Sequence, residues 1–436
     1  MGFSEKTTDV LLDIAEKVDG NRYLGAIKNA FTTWMPFIIV GSFAYIFKIL
    51  ICDTSIGLAA LIPAAAKLLP GFMAVQYATM TFMAIPITFL VAMNLAKGDN
   101  IPTQAAGILG VCAYIGIAPQ TVSVVIDTVT GSAVGISSAV TGAQGLFVGM
   151  FVAIVAEKMF AALMRINKIK IKMPTSVPPA ISQSFNTLVP ILITLYSLSV
   201  AGLVFQLITG SCLNEWMYAV VQAPLEALFQ SPAGIIGIII ISQLFWFLGI
   251  HGGLVVMPVR DPLMASALAA NIAAVAAGGV ATQPVTRGFY TFFSVAGGAG
   301  MILSLIFAIF LVSKRDDYKM IAKLGLVPAI CGVSEPVVFG LPLVLNPTFV
   351  IPFIFNSCIA TAIALFATNI GFLACNIVDA PFGLPIPIAA FIMYGWRGVV
   401  VQAIVIAVTT AVWIPFVMVS NNLGKGETEN EQIISQ

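Results

Sequence analysis

The chain has 436 residues, of which 59% are hydrophobic and 9% charged, with a formal net charge of +1 and a mean hydropathy of +1.02. A soluble domain carries roughly 25% charged residues, so this composition excludes a soluble enzyme, a nucleic-acid binder and a disordered scaffold alike. It describes a polytopic membrane protein, and its near-neutral charge gives no reason to expect a polyanionic partner.

Residues 1–20 hold Glu5, Asp9, Asp13, Glu16 and Asp19 without a continuous apolar run, so no signal peptide is expected. Val10, Ile14 and Val18 recur every four residues with Leu11 and Ala15 beside them, the pattern of a short amphipathic helix at the cytoplasmic interface. A spanning helix needs about 20 mainly apolar residues. The windows that qualify early in the chain are 30–51, 72–96, 103–126 and 142–164. Later ones are 186–209, 231–250, 263–281, 288–313, 349–371 and 398–420. The predicted fold is therefore an all-α polytopic membrane protein with about ten transmembrane helices.

Basic residues set the orientation. They cluster at Lys6/Lys17/Arg22/Lys28, at Lys158/Arg165/Lys168/Lys170/Lys172 and at Lys314/Arg315/Lys319/Lys323, with Lys97 and Lys425 alone. Placing all of these in the cytoplasm puts 15 of the 20 Lys and Arg residues inside, with both termini. Parity then requires an even number of crossings between 172 and 314, so the weakly apolar, Ala-rich 263–281 is counted as a span that is buried in protein. The stretches 325–347 and 380–394 are left over, each broken by prolines. Non-helical backbone at membrane depth survives only where protein or a water-filled cavity satisfies it, so both are expected to be re-entrant or broken segments near a binding site. The lysine-rich 165–172 followed by Pro174, Pro178 and Pro179 suggests a hinge. It divides an N-terminal membrane half, 1–175, from a C-terminal half, 176–424, with a tail at 425–436.

The six cysteines form no C-x-x-C pair and the chain has one histidine, so neither a metal site nor a cofactor is expected. Ionisable groups in apolar segments are costly and mark pathways. Glu215, Glu226, Arg260 and Asp261 are expected to be solvated in connections or at a membrane surface. Glu335 differs, because it is the only charge between Leu324 and Val378 and stands before Pro336. Desolvation there should raise its pKa and ready it for proton transfer, the plainer alternative being a buried pair with Arg287. His251 ends an apolar span, is followed by Gly252 and Gly253, and comes just after Phe245, Trp246 and Phe247. An indole beside a histidine suits a sugar, whose CH face stacks while its hydroxyls take hydrogen bonds; the alternative for Trp246 is an interfacial anchor.

The stretches Phe245-Trp-Phe-Leu-Gly-Ile-His-Gly-Gly and Gly332-Val-Ser-Glu-Pro-Val-Val-Phe-Gly-Leu-Pro-Leu-Val-Leu-Asn-Pro resemble the membrane subunit (EIIC) of bacterial sugar phosphotransferase systems, of the lactose, cellobiose and diacetylchitobiose type. The resemblance covers nearly the whole chain. It implies a homodimer in the bacterial cell membrane, paired through the N-terminal half and holding a β-linked disaccharide in the C-terminal half. It implies phosphorylation at C6 from a cysteine on a separate IIB protein, itself charged through IIA, HPr, enzyme I and phosphoenolpyruvate. Carried across, Glu335 acts on the sugar hydroxyl with His251 as its neighbour, Trp246 is a stacking platform, and Gly252 and Asn346 of the matched motifs contribute to binding. One departure is that Phe382 stands where diacetylchitobiose-type members have Trp, which keeps a stacking face and loses the indole donor. The rival reading is a proton-coupled secondary sugar transporter in which Glu335 and His251 carry the proton.

Overall fold

The computed structural model describes residues 20–434 apart from 55–56, 127–128, 172–173, 175–177, 342 and 382. The amphipathic helix expected at the N-terminus lies outside the described residues. Among those described, seven helices are long and apolar enough to cross a membrane, or nine if each of two bent pairs is one span. They divide into two compact units, Gly20–Ala227 and the chain from Leu228 onward.

The first unit contains α1 (Arg22–Phe47), α2 (Ala84–Asp99), α3 (Thr103–Ile117), α4 (Leu146–Met164) and α5 (Pro179–Thr209). Small buried residues, Ala84, Ala92, Ala96, Ala113, Ala153 and Ala156, let α2, α3 and α4 approach closely. The span expected at 103–126 is shorter than its window. Its 15-residue helix reaches about 22 Å at 1.5 Å per residue, against a hydrocarbon core of about 30 Å. Pro119 holds Ala118 in extended geometry (ψ 154°), which ends the helix. The β-branched run that follows then pairs as an antiparallel hairpin, β1 (Thr121–Ile126) with β2 (Val129–Val134).

At the other end of α2, one carboxylate gathers three cations. Asp99 takes Arg22 at 3.1 Å, Arg165 at 3.0 Å and Lys158 closer still, and Lys158 also faces Glu157 at 3.1 Å. Basic residues from two of the clusters seen in the sequence therefore fasten α1, α2 and α4 to one another.

The second unit contains α6 (Pro232–Phe247), α7 (Gly252–Ala276), α8 (Ile302–Val312), α9 (Asp316–Ile330), α10 (Glu335–Gly340), α11 (Val350–Asn369) and α12 (Ile386–Ile434), the last interrupted at Gly395. The helix expected over 263–281 starts eleven residues earlier, because His251 caps it and it runs through Pro258 and Pro262. Helix is lost at 277–286, 295–301, 331–334, 341–349 and 370–385. The proline-broken stretch expected at 325–347 is broken in two of these places. The one expected at 380–394 is non-helical only as far as Pro385, and its disruption begins instead at Ile370.

Arg260 and Asp261 are not solvated as expected. They form a 2.8 Å ion pair with side chains 12% and 7% exposed, and the guanidinium lies 4.5 Å from the Tyr290 ring centroid. A buried guanidinium needs both partners to offset its desolvation.

Asp99→Asn is expected to destabilise the chain by about 1–3 kcal/mol, because it strips the shared counter-ion from Lys158 and Arg22. Arg165→Gln should cost under about 1 kcal/mol, since that side chain is 70% exposed. Thermal unfolding of the purified variants ranks them, and equal midpoints would refute the hub.

Candidate functional site

Three elements of the second unit meet at the site. Ser231 caps α6 by accepting from the Gly234 N–H, and Pro232 occupies its first turn, where a missing N–H costs nothing. The helix ends after the aromatic run Phe245–Phe247. The chain turns through Gly249 (φ +84°) into His251, the N-cap of α7. His251 Nδ1 accepts from the Leu254 N–H at 3.2 Å. In the neutral ring this places the proton on Nε2, the nitrogen left free to face outward.

Glu335 opens α10, the six-residue helix that follows the 331–334 turn. It lies outside the spanning helices, with Pro336 in the first turn. Its Oε1 lies 3.7 Å from His251 Nε2, an electrostatic contact longer than a hydrogen bond. The two side chains are 42% and 43% exposed, so this is an open site and not a buried pair. The raised carboxyl pKa expected from desolvation is not what the structure shows. The imidazole facing it holds the Glu335 carboxyl below the ordinary range, outweighing the partial burial that acts the other way. The alternative of a Glu335–Arg287 pair also fails, since Arg287 binds Asp379 at 3.2 Å.

Trp246 stands beside this pair, its ring centroid 4.2 Å from that of His251 with the planes 44° apart. It is 5% exposed, so little of the ring surface is open to a ligand. The Asn346 amide oxygen accepts from the Thr348 N–H at 3.0 Å and shapes the 341–349 loop. That loop is hung on α6 by the Leu345 N–H, which donates to the Phe247 carbonyl at 2.9 Å. Gly252 is explained by packing, because a Cβ there would sit 1.8 Å from the Ser242 carbonyl oxygen. Phe382 lies outside the described residues. The structure thus brings Glu335, His251 and Trp246 together, with Gly252 and the Asn346 loop supporting them.

Several polar side chains with a part in this arrangement went unnoticed in the sequence. Asn271, fully buried in α7, donates to the carbonyls of Gln283 and Asn376 and accepts from the N–H groups of Thr282 and Gln283, at 2.8–3.1 Å. Asn376 in turn accepts from the Thr286 hydroxyl at 2.5 Å and donates to the Val378 carbonyl at 2.6 Å. Gln230 exchanges two hydrogen bonds with Val285. Together they pair backbone groups of Thr282, Gln283, Val285, Asn376 and Val378 in the non-helical segments. The signal available was an uncharged amide inside an apolar window, which hydropathy averages away.

A bundle of apolar helices with broken backbone beside an open His–Glu pair defines an α-helical, multi-pass membrane protein. Residues 28–357 match the family model "Phosphotransferase system, EIIC", and the chain belongs to that family. It is therefore the membrane component of a sugar phosphotransferase system, the class that works with a sugar and a IIB partner. The chain is 28% identical to the oligo-beta-mannoside-specific EIIC component of Bacillus subtilis, over 99% of this chain and 97% of that one. It is 27% identical to the cellobiose-specific EIIC component of Lactococcus lactis, over 96% and 98%. A crystal structure of the transporter ChbC, the IIC component of the N,N'-diacetylchitobiose-specific system, superimposes with a TM-score of 0.89 at 27% identity, covering 96% of this chain and 98% of that one.

Gly252→Ala is expected to destabilise the chain by about 3 kcal/mol, because rigid backbone meets the new methyl. Gly253→Ala should cost under about 1 kcal/mol, as its Cβ meets only the His251 ring at 3.3 Å. Unfolding midpoints of the two variants separate these outcomes, and similar values would show that the close approach is not needed.

Proposed function

We propose that this chain binds and translocates a β-linked disaccharide of the cellobiose, diacetylchitobiose or lactose class and presents its C6 hydroxyl to a phosphorylated IIB protein. The observation that carries the reading is the open Glu335–His251 pair, 3.7 Å apart on two different elements beside Trp246, in a chain of the EIIC family. The relatives named for cellobiose, diacetylchitobiose and oligo-beta-mannoside support the substrate class.

In this mechanism the sugar enters from outside and settles against Trp246, with Phe382, Gly252 and Asn346 as further contacts. Glu335 accepts the proton of the C6 hydroxyl as that oxygen attacks phosphorus. The O6–P bond forms, the S–P bond to the IIB cysteine breaks, and the thiolate leaves. His251, with its proton on Nε2, donates a hydrogen bond to the reacting oxygen or to the carboxylate and orients it. Positioning provides much of the rate, as in phosphoryl transfer generally. The added charge then lowers affinity for the site and traps the product in the cell. The remaining parts of the proposal are a homodimer formed through the N-terminal half, 1–175, and sugar translocation by 176–424. Both termini are cytoplasmic, and enzyme I, HPr and IIA lie upstream of IIB.

Membranes supplied with phosphoenolpyruvate, the general proteins and IIA/IIB are offered cellobiose, diacetylchitobiose and lactose. C6-phosphorylated sugar is expected from one or more. Glu335→Gln should lower transfer at least about 10²-fold while sugar binding changes less than about tenfold. Uptake of free sugar without phosphorylation would favour proton coupling instead.

The pH profile gives a second test. A base with a depressed pKa is active above that value and fails as pH falls through it. The wild-type acid limb therefore lies below the ordinary carboxylate range. Replacing His251 with Phe removes the group that depresses Glu335, so the acid limb should move to higher pH. An unmoved limb would mean that another group titrates.

A further inference from the structure

The residues that carry the His251–Glu335 pair are joined through a third segment, the helix break at 295–301. This break lies between the π-helical turn Tyr290–Ser294 and α8. Its backbone runs through Gly297, Gly298 and Gly300 at positive φ and leaves amide groups out of helical register. Three side chains from three different elements meet those groups. The Gly300 N–H donates to Gln243 Oε1 at 2.9 Å, the Ala299 N–H donates to Ser334 Oγ at 3.2 Å, and the Trp413 indole donates to the Gly300 carbonyl at 3.2 Å. Gln243, Ser334 and Trp413 are 1%, 3% and 0% exposed, so none of these bonds has a water alternative.

The connectivity gives the clamp its consequence. Gln243 lies on α6, two turns before His251. Ser334 is the residue immediately before Glu335 and the N-cap position of α10, although its hydroxyl is turned to Ala299 rather than to its own helix. Gly298 completes the fit, since a Cβ there would fall 2.4 Å from Ser334 Cβ. The break therefore grips the element behind the imidazole with one amide and the turn behind the carboxylate with the next.

We infer that Gln243 and Ser334 are positioning residues which, through adjacent amides of the 299–300 backbone, fix the reach between His251 and Glu335. Neither touches the reacting atoms. Their effect is to hold two open side chains at one separation while sugar and phosphoryl donor come and go. A misplacement of about 1 Å in such a constellation costs up to about 10²-fold in rate. The kinetic part of this inference rests on the transfer reaction proposed above.

The test uses the full chain with Gln243→Leu, Ser334→Ala and Ser334→Thr. Cellobiose and the donor proteins serve as kinetic probes, and hydrogen exchange is measured on the purified protein. Turnover per sugar-binding site is expected to fall about tenfold in Gln243→Leu and Ser334→Ala, with the sugar Kd within about threefold of wild type. Ser334→Thr, which keeps the acceptor, should recover most of the loss. Turnover per site within about twofold of wild type in both variants would overturn the inference. So would a parallel loss of binding and turnover that Ser334→Thr fails to relieve. Exchange reads the linkage without any transfer. Gln243→Leu should speed exchange at 331–338 as well as at 296–303, although it lies on neither segment. If wild type transfers no phosphoryl group to any offered sugar, the reaction falls and exchange alone decides the clamp, which unchanged protection at 331–338 would refute.

Discussion

A backbone amide or carbonyl out of helical register and away from water costs about 1–3 kcal/mol unless a partner is found for it. The unit from Leu228 onward interrupts its helices repeatedly, at 277–286, 295–301, 331–334, 341–349 and 370–385. That is a large liability for a chain with so few charged side chains. It is met by amides and hydroxyls aimed inward: Asn271 and Gln230 at the first break, Gln243, Ser334 and Trp413 at the second, Asn376 at the last. Asn271, Gln230 and Asn376 use both ends of a neutral amide dipole, and Gln243, Ser334 and Trp413 one polar atom each, where an ion would have cost more to bury. Of these, the break at 295–301 is the one bonded to the elements that carry His251 and Glu335, through Gln243 and Ser334.

Charge is used differently in the two units. In Gly20–Ala227 the prominent ion pairs lie at the helix ends, where Asp99 collects cations from α1 and α4. Arg22 and Arg165 keep much of their surface in solvent, so the desolvation cost of the hub falls on the buried Asp99, which three cations offset. In the second unit two pairs lie inside, Arg260–Asp261 within α7 and Arg287–Asp379, whose aspartate belongs to a non-helical segment. There each carboxylate has a guanidinium beside it, which offsets part of the cost of burial. Glu335 differs from both, a part-exposed carboxylate whose neighbour is a titratable imidazole. Arg287 is engaged by Asp379, so the pair expected between it and Glu335 does not form.

Much of this was legible in the sequence, because the features concerned are local. Composition and 20-residue apolar windows located most of the helices, and Pro336 next to an isolated carboxylate marked the broken segment that carries Glu335. The hairpin at 121–134 was missed because an apolar run of β-branched residues is hidden from a window that measures hydropathy alone; Pro119 was the signal for it. The start of α7 was misplaced because a histidine N-cap outweighed two prolines that seemed to forbid helix. The environment of Glu335 was misjudged because desolvation was inferred from flanking apolar residues, whereas exposure and the facing imidazole are tertiary facts. Asn271, Gln243 and Ser334 act over 57 residues in one case and 105 in another, and no local pattern announces such partners.

The electrostatics of Glu335 bear on how such a site can work at all. A carboxylate held below its ordinary range is ionised throughout the physiological interval and is always ready to accept a proton. The same depression makes it a weaker base, so in the transfer reaction proposed above little of the driving force for deprotonating a sugar hydroxyl would come from its proton affinity. What remains is geometry: an acceptor oxygen at a fixed place, a donor nitrogen whose tautomer is set by the Leu254 N–H, and an indole packed against the imidazole. A site that relies on placement more than on basicity needs rigid support behind residues that are themselves solvent-exposed. The amides of the 295–301 break supply that support from the buried side, where water cannot compete for them.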